Sequence, residues 1–260
     1  MIEIKDQMNF TIRLEKFPER IVSLVPSQTE LLFSLGLDNK VAGITKFCIH
    51  PDEWYNNKTR VGGTKNINFE SIDRINPDLI IGNKEENSLQ DILTLKEKYP
   101  VYMSDVFNIE DACKMIDDLG VLTDSQPMAK RLNTEIQQSV LQFPKLDKKV
   151  LYLIWAEPFM AAGKNTFIGD ILKKLGLINA LEDSNLRYIE LTPEKISELN
   201  PELIILSSEP FPFKEGHKSS LEKFSNAQII FADGEMFSWY GSRLLLMNAY
   251  FQNLAKEINR

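Results

Sequence analysis

The sequence predicts an α/β chain folded as two related lobes, each with a mostly parallel sheet, joined by one long helix. Three observations predict it. Apolar runs of strand length alternate with helical stretches, a long helix-patterned segment sits near mid-chain, and a motif of the first half returns in the second.

The elements follow in order. Ile21–Val25 reads as a strand, and Thr29–Leu35 as a helix closed by Gly36. Val41–Ile44 is the next strand. Leu79–Ile81 precedes a helical stretch around Leu89–Leu95, and Val101–Met103 precedes Ile109–Leu119, closed by Gly120. Val150–Ile154 precedes Phe167–Leu175, closed by Gly176. Leu203–Leu206 and Ile229–Phe231 complete the strands, and a last helix runs from about Ser242 to Ile258. Short β-rich runs followed by glycine-stopped helices are βα units of a parallel sheet. The two sets make two Rossmann-like lobes.

Gln126–Phe143 differs. Met128, Leu132, Ile136 and Val140 recur every fourth residue, Asp124 or Ser125 is placed to cap the segment, Pro127 suits its first turn and Pro144 ends it. Helical throughout, it would span roughly 27 Å at 1.5 Å per residue and act as a strut. The expected division is residues 1–124 as the first lobe, 125–144 as the connecting helix and 145–260 as the second lobe, with a ligand cleft between the lobes.

The repeat supports this division. Asn68-Phe-Glu-Ser-Ile-Asp-Arg-Ile-Asn-Pro-Asp-Leu-Ile-Ile81 matches Thr192-Pro-Glu-Lys-Ile-Ser-Glu-Leu-Asn-Pro-Glu-Leu-Ile-Ile205 at a constant offset of 124 residues, aligning Asn68 with Thr192 and Glu70 with Glu194. Glu30–Leu37 likewise matches Asp170–Leu177 at an offset of 140. The first lobe therefore carries about 16 extra residues between the two motifs, within Thr45–Asn66.

Of 260 residues, 43% are hydrophobic and 26% charged, with 12 Gly and 12 Pro, which is ordinary globular composition. A net charge of −7 argues against a nucleic-acid partner. No apolar run reaches the ~20 residues that span a bilayer. Two cysteines, Cys48 and Cys113, make neither a disulfide framework nor a four-thiolate zinc site. The opening residues Met1–Gln7 show no apolar h-region or small-residue cleavage site. That leaves a cytoplasmic chain, a removed leader or another export route.

No nucleophile elbow, P-loop, H-E-x-x-H or C-x-x-C pattern occurs, so the reading is a binding protein rather than an enzyme. Metal ligation has only weak candidates. Cys48-x-His50 with Asp52 and Glu53 supplies suitable donors and His217 could join them from the other lobe, but a free Cys is usually a small buried hydrophobe. Aromatic residues after predicted strands carry more. Phe47 follows the Val41–Ile44 strand, Trp155 and Phe159 follow Val150–Ile154, Phe211 and Phe213 follow Leu203–Leu206, and Phe237, Trp239 and Tyr240 follow Ile229–Phe231. Ligands of open α/β sheets bind beyond the carboxyl ends of strands, so these rings would line one cleft, with Lys46 and Arg243 as donors to an anionic group. Glu70 and Glu194, each just inside a helix start, suit the helix dipole. As a matched pair they also suit a two-fold-symmetric partner with two basic pockets.

Arg20-Ile-Val-Ser-Leu-Val-Pro-Ser-Gln-Thr-Glu-Leu-Leu32, together with the two repeated motifs, resembles the helical-backbone (class III) periplasmic binding proteins, which feed vitamin B12, haem and ferric siderophores to ABC importers. The resemblance runs from about Arg20 to the last helix and is greatest to the cobalamin-binding branch. Phe159–Gly163, Ser208–Phe213 and Ser238–Arg243 are similar to segments of bacterial metal-complex receptors. It implies a monomeric, extracytoplasmic receptor with no intrinsic cofactor, holding a small-molecule metal chelate (cobalamin, ferric siderophore or haem). Pro26, Ser27, Phe47, Trp155, Phe159, Trp239 and Arg243 would fall on ligand-contacting loops. Glu70 and Glu194 would meet arginines of the ABC transporter permease dimer, and Gln126–Phe143 would be the backbone helix that limits lobe closure. The alternative on the same fold is a cytoplasmic metal-cofactor or tetrapyrrole-handling protein using Cys48 with His50 or His217.

Overall fold

The computed structural model describes residues 1–259. The chain divides into two compact units. The first comprises Met1–Val106, Glu110–Ile136 and the short stretch Tyr240–Arg243; the second takes Phe107–Ile109, Gln137–Trp239 and the chain from Leu244 on.

The first unit opens with a hairpin, β1 (Ile2–Lys5) and β2 (Thr11–Leu14). Then come β3 (Ile21–Ser23), α1 (Pro26–Ser34), β4 (Val41–Ile44), α2 (Asp52–Asn57), β5 (Thr59–Arg60), α3 (Phe69–Ile75), β6 (Leu79–Asn83), α4 (Leu89–Lys96), β7 (Val101–Ser104), α5 (Ile109–Thr123) and α6 (Gln126–Val140). Its five-stranded sheet has the order β5-β4-β3-β6-β7, every pair parallel. The second unit holds β8 (Lys149–Trp155), β9 (Phe159–Ala162), α7 (Phe167–Lys174), β10 (Ile178–Asn179), β11 (Tyr188–Leu191), α8 (Pro193–Leu199), β12 (Leu203–Ser207), α9 (Glu215–Leu221), β13 (Gln228–Ala232), α10 (Glu235–Ser238) and α11 (Leu244–Ile258). Its sheet has the order β11-β9-β8-β12-β13, with β10 parallel beside the start of β8. Here β9 runs antiparallel to both neighbours, so this sheet is mixed where the first is purely parallel.

The sequence repeat is a structural repeat. Asn68 caps α3 by accepting from the Ser71 N–H, and Thr192 caps α8 by accepting from the Lys195 N–H. Both helices have seven residues and end on a left-handed asparagine, Asn76 and Asn200. The strands that follow, β6 and β12, are buried at every position, as parallel strands covered on both faces must be. Leu79 pairs with Ile21 at the start of β3, and Leu203 with Val150 near the start of β8.

The second matched pair behaves alike. Gly36 (φ +77°) and Gly176 (φ +72°) end α1 and α7, and the N–H groups of Leu37 and Leu177 reach back to the carbonyls of Leu32 and Leu172 at 3.1 and 2.9 Å. Glycine is required there because an L side chain is strained at these angles. The extra residues of the first half form α2 and β5, pinned by Trp54, which is buried and donates to Asp38 Oδ1 at 2.5 Å.

Each unit has its own core. Val22, Leu24, Ile72, Ile80, Ile92 and Met103 pack together in the first, and Leu151, Leu153, Ile196, Ile204, Leu206 and Leu221 in the second. Fully burying such side chains contributes about 1.5–3 kcal/mol each.

Three sequence-based boundaries are corrected. Gly120 does not stop its helix; α5 runs on to Thr123, and the turn comes at Asp124 (φ +61°). Gly120 is there for close approach, since a Cβ on it would lie 2.6 Å from that of Ala129 on α6. Helix α6 ends at Val140, giving about 22 Å instead of 27. Helix α1 begins at Pro26, so Pro26 and Ser27 form a first helical turn and not a loop.

Candidate solute-binding surfaces

In the first unit the carboxyl ends of β3, β4, β6 and β7 share one edge of the sheet. The chain leaving β4 places Lys46 and Phe47 there. Phe47 is 52% exposed, and the Lys46 ammonium lies 5.1 Å from its ring centroid. Gly63 makes room for this ring, because a Cβ would come within 3.2 Å of Phe47 Cε2. Ser27 is buried and faces Tyr240, whose hydroxyl also faces Ser104. Burial, with Glu86 adding negative charge nearby, raises the Tyr240 hydroxyl far above the ordinary tyrosine value, so it stays protonated.

The sequence reading missed the polar network at this edge. Gln28 Nε2 donates to Ser104 Oγ at 2.5 Å, Asn83 Nδ2 donates to the same oxygen at 3.0 Å, and Asn87 Oδ1 accepts from the Asn83 N–H at 2.8 Å. These residues rigidify the strand ends. The available signal was polar residues directly at the ends of apolar strands, Asn83 after Leu79–Ile81 and Ser104 after Val101–Met103.

Arg243 is not an open donor. Its guanidinium makes a bidentate ion pair with Glu30, Nε to Oε2 at 2.8 Å and Nη2 to Oε1 at 2.9 Å, with the two side chains only 7% and 19% exposed. Cys48, the weak metal candidate, is buried. Its sulfur lies 3.0 Å from the Thr29 hydroxyl and 3.1 Å from that of Thr45, and burial pushes the thiol up, away from the thiolate that metals need. Among the described residues no three of His, Cys, Asp and Glu come together as a metal-binding group. His50 is half-buried just ahead of α2.

In the second unit Trp155 closes β8, 41% exposed, with its ring 5.3 Å from Phe211. Phe211 continues to Phe213 at 5.0 Å and to His217 at 5.1 Å. Trp155 and Phe211 therefore form an accessible aromatic face on a buried base, because Phe213 belongs to the core. His217 Nδ1 accepts from the Lys214 N–H at 2.9 Å, so that ring nitrogen caps the start of α9. Phe159 begins β9 and packs on Phe224. Phe237 is wholly buried against Tyr152 and Phe251, a core residue. Trp239 is also buried, its indole N–H held by Glu209 Oε1 at 2.8 Å. Glu209, which takes the Ser238 hydroxyl on the same oxygen at 2.9 Å, was not singled out from the sequence.

A separate cavity of about 910 Å³ runs along α7, lined by Lys164, Lys173, Glu182, Arg187 and Phe107 among others; the sequence-predicted site residues do not line it.

Glu70 and Glu194 occupy the second position of α3 and α8, and both are exposed. Glu70 lies 3.9 Å from Arg74 one turn on, with its side chain 89% exposed. The Glu194 carboxyl is held below its usual range by its own backbone N–H and the Thr192 hydroxyl.

Comparison with known proteins agrees with this fold. The family profile described as "Periplasmic binding protein" matches residues 21–229. An uncharacterized ABC transporter substrate-binding lipoprotein of Bacillus subtilis, YvrC, is 28% identical over 217 residues, covering 78% of this chain and 68% of its own. The vitamin B12-binding protein of Pectobacterium atrosepticum is 23% identical over 250 residues, covering 88% and 85%. Among solved structures, the petrobactin-binding protein YclQ of Bacillus subtilis superposes with a TM-score of 0.81 at 19% identity, covering 100% of this chain and 99% of that one. With the profile spanning both sheets, the chain belongs to the periplasmic binding protein family.

Proposed function

We propose that this chain is the solute receptor of an ABC importer, carrying a metal chelate of the corrinoid, ferric siderophore or haem class outside the cytoplasm and docking on a permease dimer through Glu70 and Glu194. The observation that carries the docking reading is the match between those two residues. A duplicated fold displays one exposed acid at the same position of the same capped helix in each half, 124 residues apart. A helix dipole accounts for either acid alone; a two-fold partner with two basic pockets accounts for both. Relatives named for vitamin B12 and a structural neighbour named for petrobactin support the ligand class. The accessible rings Phe47, Trp155 and Phe211 are its proposed contacts, since flat apolar faces bury much area at little cost in rotamer entropy.

The test is a thermal-shift series with cyanocobalamin, haemin and a ferric catecholate, each read also by its visible spectrum. A ligand bound only by the native state raises Tm with concentration. No shift with all three probes would overturn the ligand reading. For docking, the pair Glu70→Ala and Glu194→Ala leaves chelate affinity unchanged and abolishes binding to the permease; weakened affinity with intact docking would overturn that assignment.

A further inference from the structure

Glu30 and Asp170 align in the second sequence match, at offset 140, and sit at equivalent places on α1 and α7. Each grips the entry of a fifteen-residue helix. Asp170 Oδ2 accepts from the backbone N–H of Ile109, the first residue of α5, at 3.0 Å. Glu30 takes the guanidinium of Arg243, immediately before α11, with two bonds of 2.8 and 2.9 Å. These are also the two places where the chain makes a short excursion. Phe107–Ile109 belongs with the second unit although β7 and the rest of α5 belong with the first, and Tyr240–Arg243 belongs with the first although α10 and α11 belong with the second.

Further contacts fasten each excursion. The Arg187 guanidinium lies 4.2 Å over the Phe107 ring. Tyr240 is buried beside Ser27 and Ser104, and Gly241 (φ +106°) lies so close to α1 that a Cβ would meet Leu31 Cβ at 3.3 Å. Neither excursion is a slack linker.

We infer that Glu30 and Asp170 are a matched pair of positioning residues, the repeat-related carboxylates that hold chain segments 240–243 and 107–109 in place. A carboxylate is the right group at both. One site offers a buried cation, which is costly to leave unpaired, and the other offers the unsatisfied N–H groups of a helix start, where negative charge is favoured.

The experiment reads each segment separately, without solute. Limited trypsin digestion reports cleavage after Arg243, and hydrogen exchange with mass spectrometry reports the Ile109 amide. Glu30→Ala raises the rate of cleavage after Arg243 at least tenfold and leaves exchange at Ile109 unchanged. Asp170→Ala raises exchange at Ile109 at least tenfold and leaves cleavage after Arg243 unchanged. Glu30→Gln and Asp170→Asn, each keeping one acceptor oxygen, give smaller shifts of the same specificity and serve if an alanine variant fails to fold. Equal changes at both segments in either variant, or none at either, would overturn the inference.

Discussion

Asn76 and Asn200 close corresponding helices in the same left-handed conformation, at φ 50° and 42°. Each is followed by Pro and an acid before a fully buried strand. An L residue with a β-branched side chain is strained at these angles, whereas asparagine tolerates them and glycine adopts them freely. Asn76→Val and Asn200→Val are each expected to lower stability by about 1–2 kcal/mol, and the glycine variants to be neutral or slightly stabilising. Urea unfolding monitored by circular dichroism checks this.

Asn68→Ala and Thr192→Ala remove the helix caps, each expected to cost about 1 kcal/mol. The two positions lie in different units and share no partner, so the double variant should lose the sum of the single losses to within a few tenths of a kcal/mol. A markedly non-additive result would show that the units do not unfold as one two-state system.

Gly120 and Ala129 press α5 against α6. Gly120→Ala inserts a methyl group where the Cβ–Cβ distance would be 2.6 Å, and is expected to cost about 1–3 kcal/mol despite the better helix propensity of alanine. Adding Ala129→Gly should recover part of the loss. Failure of the pair to couple in a double-mutant cycle would mean the helices separate without penalty.

The Cys113 thiol is pushed up to about 11 by burial, with Asp117 and Glu110 adding to the effect. Because the native pKa lies above the unfolded one, the contribution to stability is complete below about pH 9 and is lost as pH rises toward 11. Iodoacetamide should modify native Cys113 slowly at pH 8 and markedly faster above pH 10; rapid labelling at pH 8 would contradict the buried neutral thiol.

Trp155 offers an exposed ring at a strand end, so Trp155→Ala should weaken chelate binding about tenfold while shifting Tm little. Trp239→Ala should do the reverse at first order, destabilising the fold by removing a buried ring and stranding Glu209. Paired thermal-shift and titration measurements separate the two.

The sequence by itself determined much of what is written in neighbouring residues, although Gly120 read as a helix stop and α5 runs past it to Thr123. Caps, glycine stops and buried strands depend on groups a few positions apart, and the internal repeat is legible by comparing the chain with itself, so Asn68, Gly36, Gly176 and Thr192 could be assigned from the chain alone. It also placed Phe47 and Trp155 at strand ends. Tertiary structure decided which side chains were already taken. Arg243 read as an open cation until Glu30, 213 positions away, was found holding it, and Trp239 read as an open ring until its N–H was found on Glu209. The hairpin β1–β2 is likewise held to β7 by Asp6, which accepts from the Met103 N–H 97 positions on. Local patterns state what a residue can pair with, and long-range packing, which depends on the whole chain closing its loops, selects the partner.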